Sequence, residues 1–352
     1  MGLRVSMIAP IVVFVHLGNQ LPRWLIPSIL DFKKSHDGQV YVILNNKSNS
    51  DSLRSKKIST WIVDDKKIIL PDTLENKDLY YFRNGFWRES TRRFWAMKEF
   101  QKDFRYPIIH FESDVKVFKN FPYNSFLQLD QPIAFPLSAP GYGVASVFYS
   151  REFHALDELL GNWGDSSSQK KLAEINHFVN DMTLLGSSVI NYPYLVTNLP
   201  TVHPKCNCIE HHKVITHYDL SANFKIFSGV FDGATLGQFL FGFDARNERG
   251  LRRLYKYREY HTIRPNKLRF EYNSSRESLL MNCNEVQNTE IFNLHIHSKD
   301  LRVFSDKFSS LIVRRTNPNA FNLRWEFDAW ALKESIIGTY SRIKKEIRKL
   351  LN

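Results

Sequence analysis

The stretch Tyr106-Pro107-Ile108-Ile109-His110-Phe111-Glu112-Ser113-Asp114-Val115 restricts the fold more than any other part of the chain. An apolar run this continuous, rich in Ile and Phe, reads as a strand buried on both faces, and such strands belong to parallel sheets covered by helices. Its last residues are acidic, and in open α/β sheets ligands bind beyond the carboxyl ends of the strands. One buried element therefore predicts both an architecture and the edge of it where chemistry belongs.

The rest of the sequence supplies the alternation that architecture needs. Residues 8–15 form an apolar run that leaves through His16-Leu17-Gly18-Asn19, and residues 22–34 then carry helical spacing. Residues 40–44 make a second strand closing at Asn45-Asn46, with further strands expected at 61–63 and 68–70. Residues 86–104 turn helical, residues 132–149 read as strands around Gly141-Tyr142-Gly143, residues 151–160 read as a helix, and 166–171 read as an exposed loop. No internal repeat is evident. The expected fold is α/β, a Rossmann-type mixed and mostly parallel sheet flanked by helices, ending in an amphipathic helix.

Composition removes several classes. With 352 residues, 43% hydrophobic and 14% aromatic, the chain is neither disordered nor collagen-like. Its three cysteines are too few for a disulfide scaffold and point to a reducing, cytoplasmic setting. The uncharged stretch 5–21 is interrupted by Pro10, His16, Gly18 and Asn19, which argues against a membrane helix or a secretory leader. A net charge of +12 favours anionic partners: nucleotides, nucleic acid or an acidic leaflet. Over residues 330–352, Leu332, Ile336, Ile337, Tyr340, Ile343 and Ile347 recur at helical spacing among Lys333, Arg342, Lys344, Lys345, Arg348 and Lys349. Such a helix either packs on its own domain or holds the protein peripherally on anionic lipid.

Two short motifs carry chemistry. On an extended backbone alternate side chains point the same way, so Glu112 and Asp114 can converge on one divalent cation able to neutralise a diphosphate. In Asn293-Leu294-His295-Ile296-His297-Ser298-Lys299 the same alternation groups His295, His297 and Lys299, an imidazole for the metal and an ammonium for a phosphate oxygen. Asp181, near the start of an apolar helical segment, and Asp232, ahead of Gly233-Ala234, are each either a base for an acceptor hydroxyl or a helix cap. Cys206-Asn207-Cys208 with His203, His211, His212 and His217 fits no standard zinc spacing. The basic and aromatic residues at 251–258 belong to no nucleic-acid motif, so a nucleic-acid partner is not favoured.

Over residues 80–120 and 178–300 these motifs resemble the GT-A-fold glycosyltransferases, in which a D-x-D motif after a buried strand holds Mn²⁺ or Mg²⁺ against the donor's phosphates. Glu112-Ser113-Asp114 is similar to an E-x-D form of it, with Glu in place of the first Asp. The preceding helix with Arg88, Thr91 and Arg93 resembles the helix leading into that motif. His297-Ser298-Lys299 is similar to the late His and Lys that complete the metal shell and bind the diphosphate, although the Gly and Pro-Trp of some members are missing. The resemblance implies a transferase moving a hexosyl or related sugar from a UDP- or GDP-linked donor to a glycan or glycolipid, as in polysaccharide biosynthesis. It implies metal ligands Glu112, Asp114 and His297, with His295 in reserve, and Asp181 or Asp232 facing the acceptor. Donor contacts would come from His16, Asn45, Arg88, Arg93 and Lys299. The implied division is a nucleotide-binding half (1–120), an acceptor-binding half holding the metal-completing His (121–305), and a C-terminal helical segment (306–352). A nucleotidyltransferase with the same metal site, and a basic nucleic-acid or membrane-surface binding protein, are the competing expectations.

Overall fold

The computed structural model describes residues 9–75, 83, 85–165, 179–208, 219–252, 263–317 and 326–351. The loop expected at 166–171, His211, His212 and His217, and residues 253–258 lie outside them.

Strand β1 (Ile11–His16) shows why a continuous apolar run was needed. Ile11 and Val13 join one buried cluster and Val12 and Phe14 the other, so alternate side chains feed the cores on opposite faces of the sheet. After helix α1 (Leu25–Ser35), β2 (Val40–Leu44) pairs parallel to β1. Helix α2 (Lys47–Arg54), capped by the Asn46 side chain, then leads to β3 (Ser59–Ile62), parallel to β2. The strand expected at 68–70 is absent: a 3₁₀ turn at Asp65–Lys67 follows β3, and Ile68 and Leu70 are buried from an irregular segment.

Helix α3 (Phe86–Phe104) packs Phe94, Met97 and Phe100 into the core. It stops at Arg105, whose left-handed φ of 59° turns the chain, and the Gln101 side chain ties this end to the Ser150 carbonyl at 3.0 Å. Strand β4 (Ile108–Phe111), buried throughout, then enters parallel beside β1. A tight turn over 112–114 leads to β5 (Val115–Val117). Strands β6 (Ile133–Ala139), β7 (Tyr142–Gly143) and β8 (Val147–Ser150) follow, then helices α4 (Phe153–Gly164) and α5 (Asp181–Asn191) and β9 (Val196–Leu199).

The central sheet runs β3-β2-β1-β4-β8-β6-β7, with β9 beside β6. Its β1–β2, β2–β3, β1–β4 and β6–β9 pairs are parallel, and its β8 and β7 pairs antiparallel. The expected mixed, mostly parallel sheet flanked by helices is what the chain forms. The order in which the chain adds strands switches sides between the parallel strands β1 and β4, and in open α/β sheets ligands bind beyond the carboxyl ends of the strands at such a switch point.

The later chain returns to the end of β4 through a late strand that pairs with β5. β10 (Gly229–Val230), helix α6 (Thr235–Phe241), β11 (Leu251–Arg252), β12 (Arg269–Asn273), β13 (Ser278–Cys283) and β14 (Val286–Ile291) come first. β10, β14, β13 and β12 form a second sheet. Then β15 (Asn293–His295) pairs antiparallel with β5, setting His295 opposite Val115. Helix α7 (Phe308–Thr316), β16 (Glu326–Phe327), which pairs with β11, and helix α8 (Ala329–Leu351) end the chain.

Helix α5 approaches the β6–β7 turn so closely that a Cβ on Gly186 would overlap the Gly141 carbonyl group. Gly186→Ala is therefore expected to destabilise the fold by about 1–3 kcal/mol, the usual range for overpacking, read as a lowered unfolding midpoint. An unchanged midpoint would mean that α5 is free to shift.

Candidate metal centre

Glu112 and Asp114 lie in the turn that follows β4, not on extended backbone, and it is the β5–β15 ribbon that brings the late motif to them. The Ile296 N–H donates to the Asp114 carbonyl at 2.7 Å, continuing that ribbon by one bond. The ligand atoms of Glu112, Asp114 and His295 lie within 4.8 Å of one another. His295 Nε2 is 3.2 Å from Asp114 Oδ2 and 3.3 Å from Glu112 Oε2.

The other face of that imidazole fixes its chemistry. His295 Nδ1 is 2.8 Å from the Gly233 carbonyl oxygen, which can only accept, so Nδ1 carries a proton and points away from the carboxylates. In the neutral ring, Nε2 then presents a lone pair to two acceptor oxygens. Three acceptors at such distances need a positive occupant, either a second ring proton or a cation. Two carboxylates and an imidazole whose remote nitrogen is held by a carbonyl make a donor set suited to Mn²⁺, and by its oxygens to Mg²⁺.

Basic side chains flank the group. Arg93, from α3, bridges Glu112 and Asp181, its Nη2 donating to Asp181 Oδ2 at 2.5 Å. Burial opposes charge on Glu112, yet Arg93, and then His295 and Lys299, hold its carboxyl down at about 2. Lys299 Nζ contacts Asp114 Oδ2 and lies 5.6 Å from the centre of the Trp24 ring, and burial lowers its pKa to about 8. The Trp24 indole N–H donates to Ser113 Oγ, between the two acids, at 3.1 Å.

Asp181 and Asp232 occupy different situations. Asp181 is the first residue of α5, behind an Asn180–Thr183 capping box. One of its oxygens takes Arg93, and Oδ1, buried, has no hydrogen-bond partner among the described residues. Burial raises its pKa against the pull of Arg93. Asp232 accepts the backbone N–H groups of Gly237 at 2.7 Å, and of Leu236 and His295 at 3.0 Å. It anchors α6 and the backbone of His295, the capping alternative raised by its sequence. Gly237 is required there, because a Cβ would strike the His295 carbonyl and lie 3.0 Å from Asp232 Oδ2.

His297, expected as the preferred ligand, is not among the three converging residues. Its Nδ1 accepts the Asp244 N–H at 2.9 Å, and burial and His295 lower its pKa to about 4. The reserve residue, His295, faces the carboxylates instead, because the strand ends at residue 295 and the chain turns before 297.

The donor-side expectations gather at the ends of β1 and β2. Asn45 Oδ1 accepts the Gly18 N–H at 2.9 Å, and its amide donates to Asp65 at 3.0 Å. His16 is shielded, and burial lowers its pKa. Arg88 pairs with Glu89 at 2.9 Å and Glu75 at 3.5 Å. Two members of this network went unread in the sequence: Arg92, bound to Glu89 at 2.8 Å and Asp65 at 2.6 Å, and Asp65 itself. Asp65 follows an ordinary edge strand and had no local signal. Arg92 does sit in the same helical stretch as Arg93.

No family model and no curated protein matches this sequence. Solved structures with partial similarity include the glycosyltransferase GlyE of Streptococcus pneumoniae TIGR4, at 14% identity and a TM-score of 0.31, over 54% of this chain and 45% of that one. The apo form of GlyE overlaps at 16% identity and a TM-score of 0.30, over 54% and 45% of the two chains. The PaToxG glycosyltransferase overlaps at 15% identity and 0.29, over 53% of this chain and 74% of that one. The chain thus spans less than half of the GlyE chain.

The geometry ranks the histidines. His295→Ala is expected to weaken Mn²⁺ binding, measured by calorimetry, by more than about tenfold, whereas His297→Ala changes it little. Asp232→Asn should fall between them, since it disturbs the backbone that carries His295. Equal losses in the two histidine variants would remove the distinction.

Proposed function

We propose that the protein is a metal-dependent glycosyltransferase of GT-A type, moving a sugar from a UDP- or GDP-linked donor to a hydroxyl of a glycan or glycolipid. The observation that carries the proposal is the convergence of Glu112, Asp114 and His295 beyond the carboxyl end of β4, with Asp181 joined to Glu112 through Arg93. Glu112, Asp114 and His295 would hold Mn²⁺ or Mg²⁺, which when bound supplies positive charge for the departing diphosphate.

The chain's own groups then divide the work. Lys299, on Asp114 through its ammonium, is close enough to exchange that partner for a phosphate oxygen. Arg93 keeps Glu112 ionised and orients Asp181. Asp181, whose buried Oδ1 has no hydrogen-bond partner among the described residues, is assigned the role of accepting a proton from an acceptor hydroxyl once substrate is bound. Asp232, consumed by three backbone donors, acts as a positioning residue for His295. The Asn45–Asp65 pair and His16 at the neighbouring strand ends are offered for the donor's ribose and base.

A thermal-shift screen of nucleotide sugars with and without Mn²⁺ tests the donor class, since a specific donor stabilises the folded state by mass action. Release of a nucleoside diphosphate is the expected product, and release of pyrophosphate would replace the proposal with nucleotidyl transfer. Asp114→Asn should abolish metal-dependent turnover with the unfolding midpoint preserved. Asp181→Asn should lower turnover by about 10²–10⁴-fold with donor binding retained, the usual weight of a general base. Wild-type rates in both variants would sink the assignment.

A further inference from the structure

Helix α8 docks on the body by its small-residue side. Ala331 is 1% exposed and the Ser335 hydroxyl donates to the Arg246 carbonyl at 2.8 Å. At the root, Asp328 accepts the Ala331 N–H at 3.1 Å and pairs with Arg23 at 3.1 Å. The Trp330 ring packs 6.1 Å from Trp24, with the Arg23 guanidinium 4.1 Å from its centre.

The apolar side of the helix faces water. Ile336, Ile337, Tyr340, Ile343 and Ile347 are between 51% and 69% exposed. Four of them fall at i, i+4, i+7 and i+11, which makes one continuous stripe of a kind soluble surfaces rarely leave bare. No described helix is long and apolar enough to cross a membrane, so the stripe is not part of a span.

We propose that this face of α8 lies in the interface of an anionic lipid leaflet. Charge selects that occupant over a second copy of the chain. The helix carries six Lys or Arg residues against Glu334 and Glu346, on a chain of net charge +12. Two such helices face to face would repel each other, whereas each basic residue near an anionic leaflet adds attraction. The docked helix also sits next to the metal centre, because Trp330 packs on Trp24 and Trp24 bonds Ser113 between Glu112 and Asp114. On the glycosyltransferase reading, and resting on it, the acceptor would therefore be lipid-linked.

The test is sedimentation of the full chain with phosphatidylcholine vesicles and with vesicles containing phosphatidylglycerol. Pelleting is expected only with the anionic vesicles. The paired substitution Ile343→Glu and Ile347→Glu, at exposed positions, should cut partitioning by about tenfold or more while leaving the unfolding midpoint and donor turnover unchanged. Absence of pelleting of the unmodified chain with anionic vesicles overturns the proposal, with no variant needed. So does a dimer on size exclusion that the paired substitution converts to monomer without changing vesicle binding. Turnover of a nucleotide sugar is read separately, so failure to bind lipid and failure of the transferase assignment are distinct results.

Discussion

Four carboxylates, those of Glu112, Asp114, Asp181 and Asp232, are gathered beyond the end of one buried strand, where their mutual repulsion and desolvation would oppose folding unless each were compensated. The compensation is specific. Arg93 stands between Glu112 and Asp181, Lys299 meets Asp114, and Asp232 is satisfied by three backbone N–H groups. These partners come from α3, from the turn after β15 and from α6, so the electrostatics of the site and the packing of the fold are one constraint. Removing Arg93 would leave two buried acids facing each other, a larger loss than that of an ordinary surface ion pair.

Behind the site lies a layer of aromatic rings. Phe111, at the end of β4, meets Phe121 at 5.0 Å, and Phe121 in turn lies 5.7 Å from Phe231 and 6.4 Å from Phe292. Phe231 directly precedes Asp232, and Phe292 directly precedes β15. The same rings that fill the core thus fix the approach of the segments that deliver Asp232 and His295. Offset and edge-on ring pairs have preferred geometries and stabilise beyond the area they bury, which helps hold these segments in place behind the site.

Much of this was legible in the sequence because burial dictated it. The strand before Glu112, the helix over 86–104 and the parallel order of the first strands follow from apolar periodicity, and each element is where periodicity put it. Which imidazole faces the two carboxylates was not legible, because alternation is a property of strands and this strand stops at residue 295. The sequence of 293–299 contains no Gly or Pro to announce the turn that follows. It is made by Lys299 in a left-handed conformation at φ 56° and by a Lys299 N–H bond to Ile296. The roles of Asp181 and Asp232 were indistinguishable for the same kind of reason: Asp181 opens a helix and Asp232 lies three residues before one, and only tertiary contacts separate the acid with a spare oxygen from the acid with none.

The short ribbon of β5 and β15 has a temporal side as well as a spatial one. Asp114 and His295 are 181 positions apart, and the ribbon is what closes that long loop. During synthesis the sheet strands β1 to β4 can assemble while the second half of the chain is still being made, but the cluster of acids at their ends has no late partner until residues near 300 emerge. A nascent chain could pair Glu112 with Arg93 early but would leave Asp114 in solvent, where its charge costs little, until His295 and Lys299 arrive. Closing the ribbon brings His295 and Lys299 to Asp114, so assembly of this cluster would report that synthesis has passed residue 299.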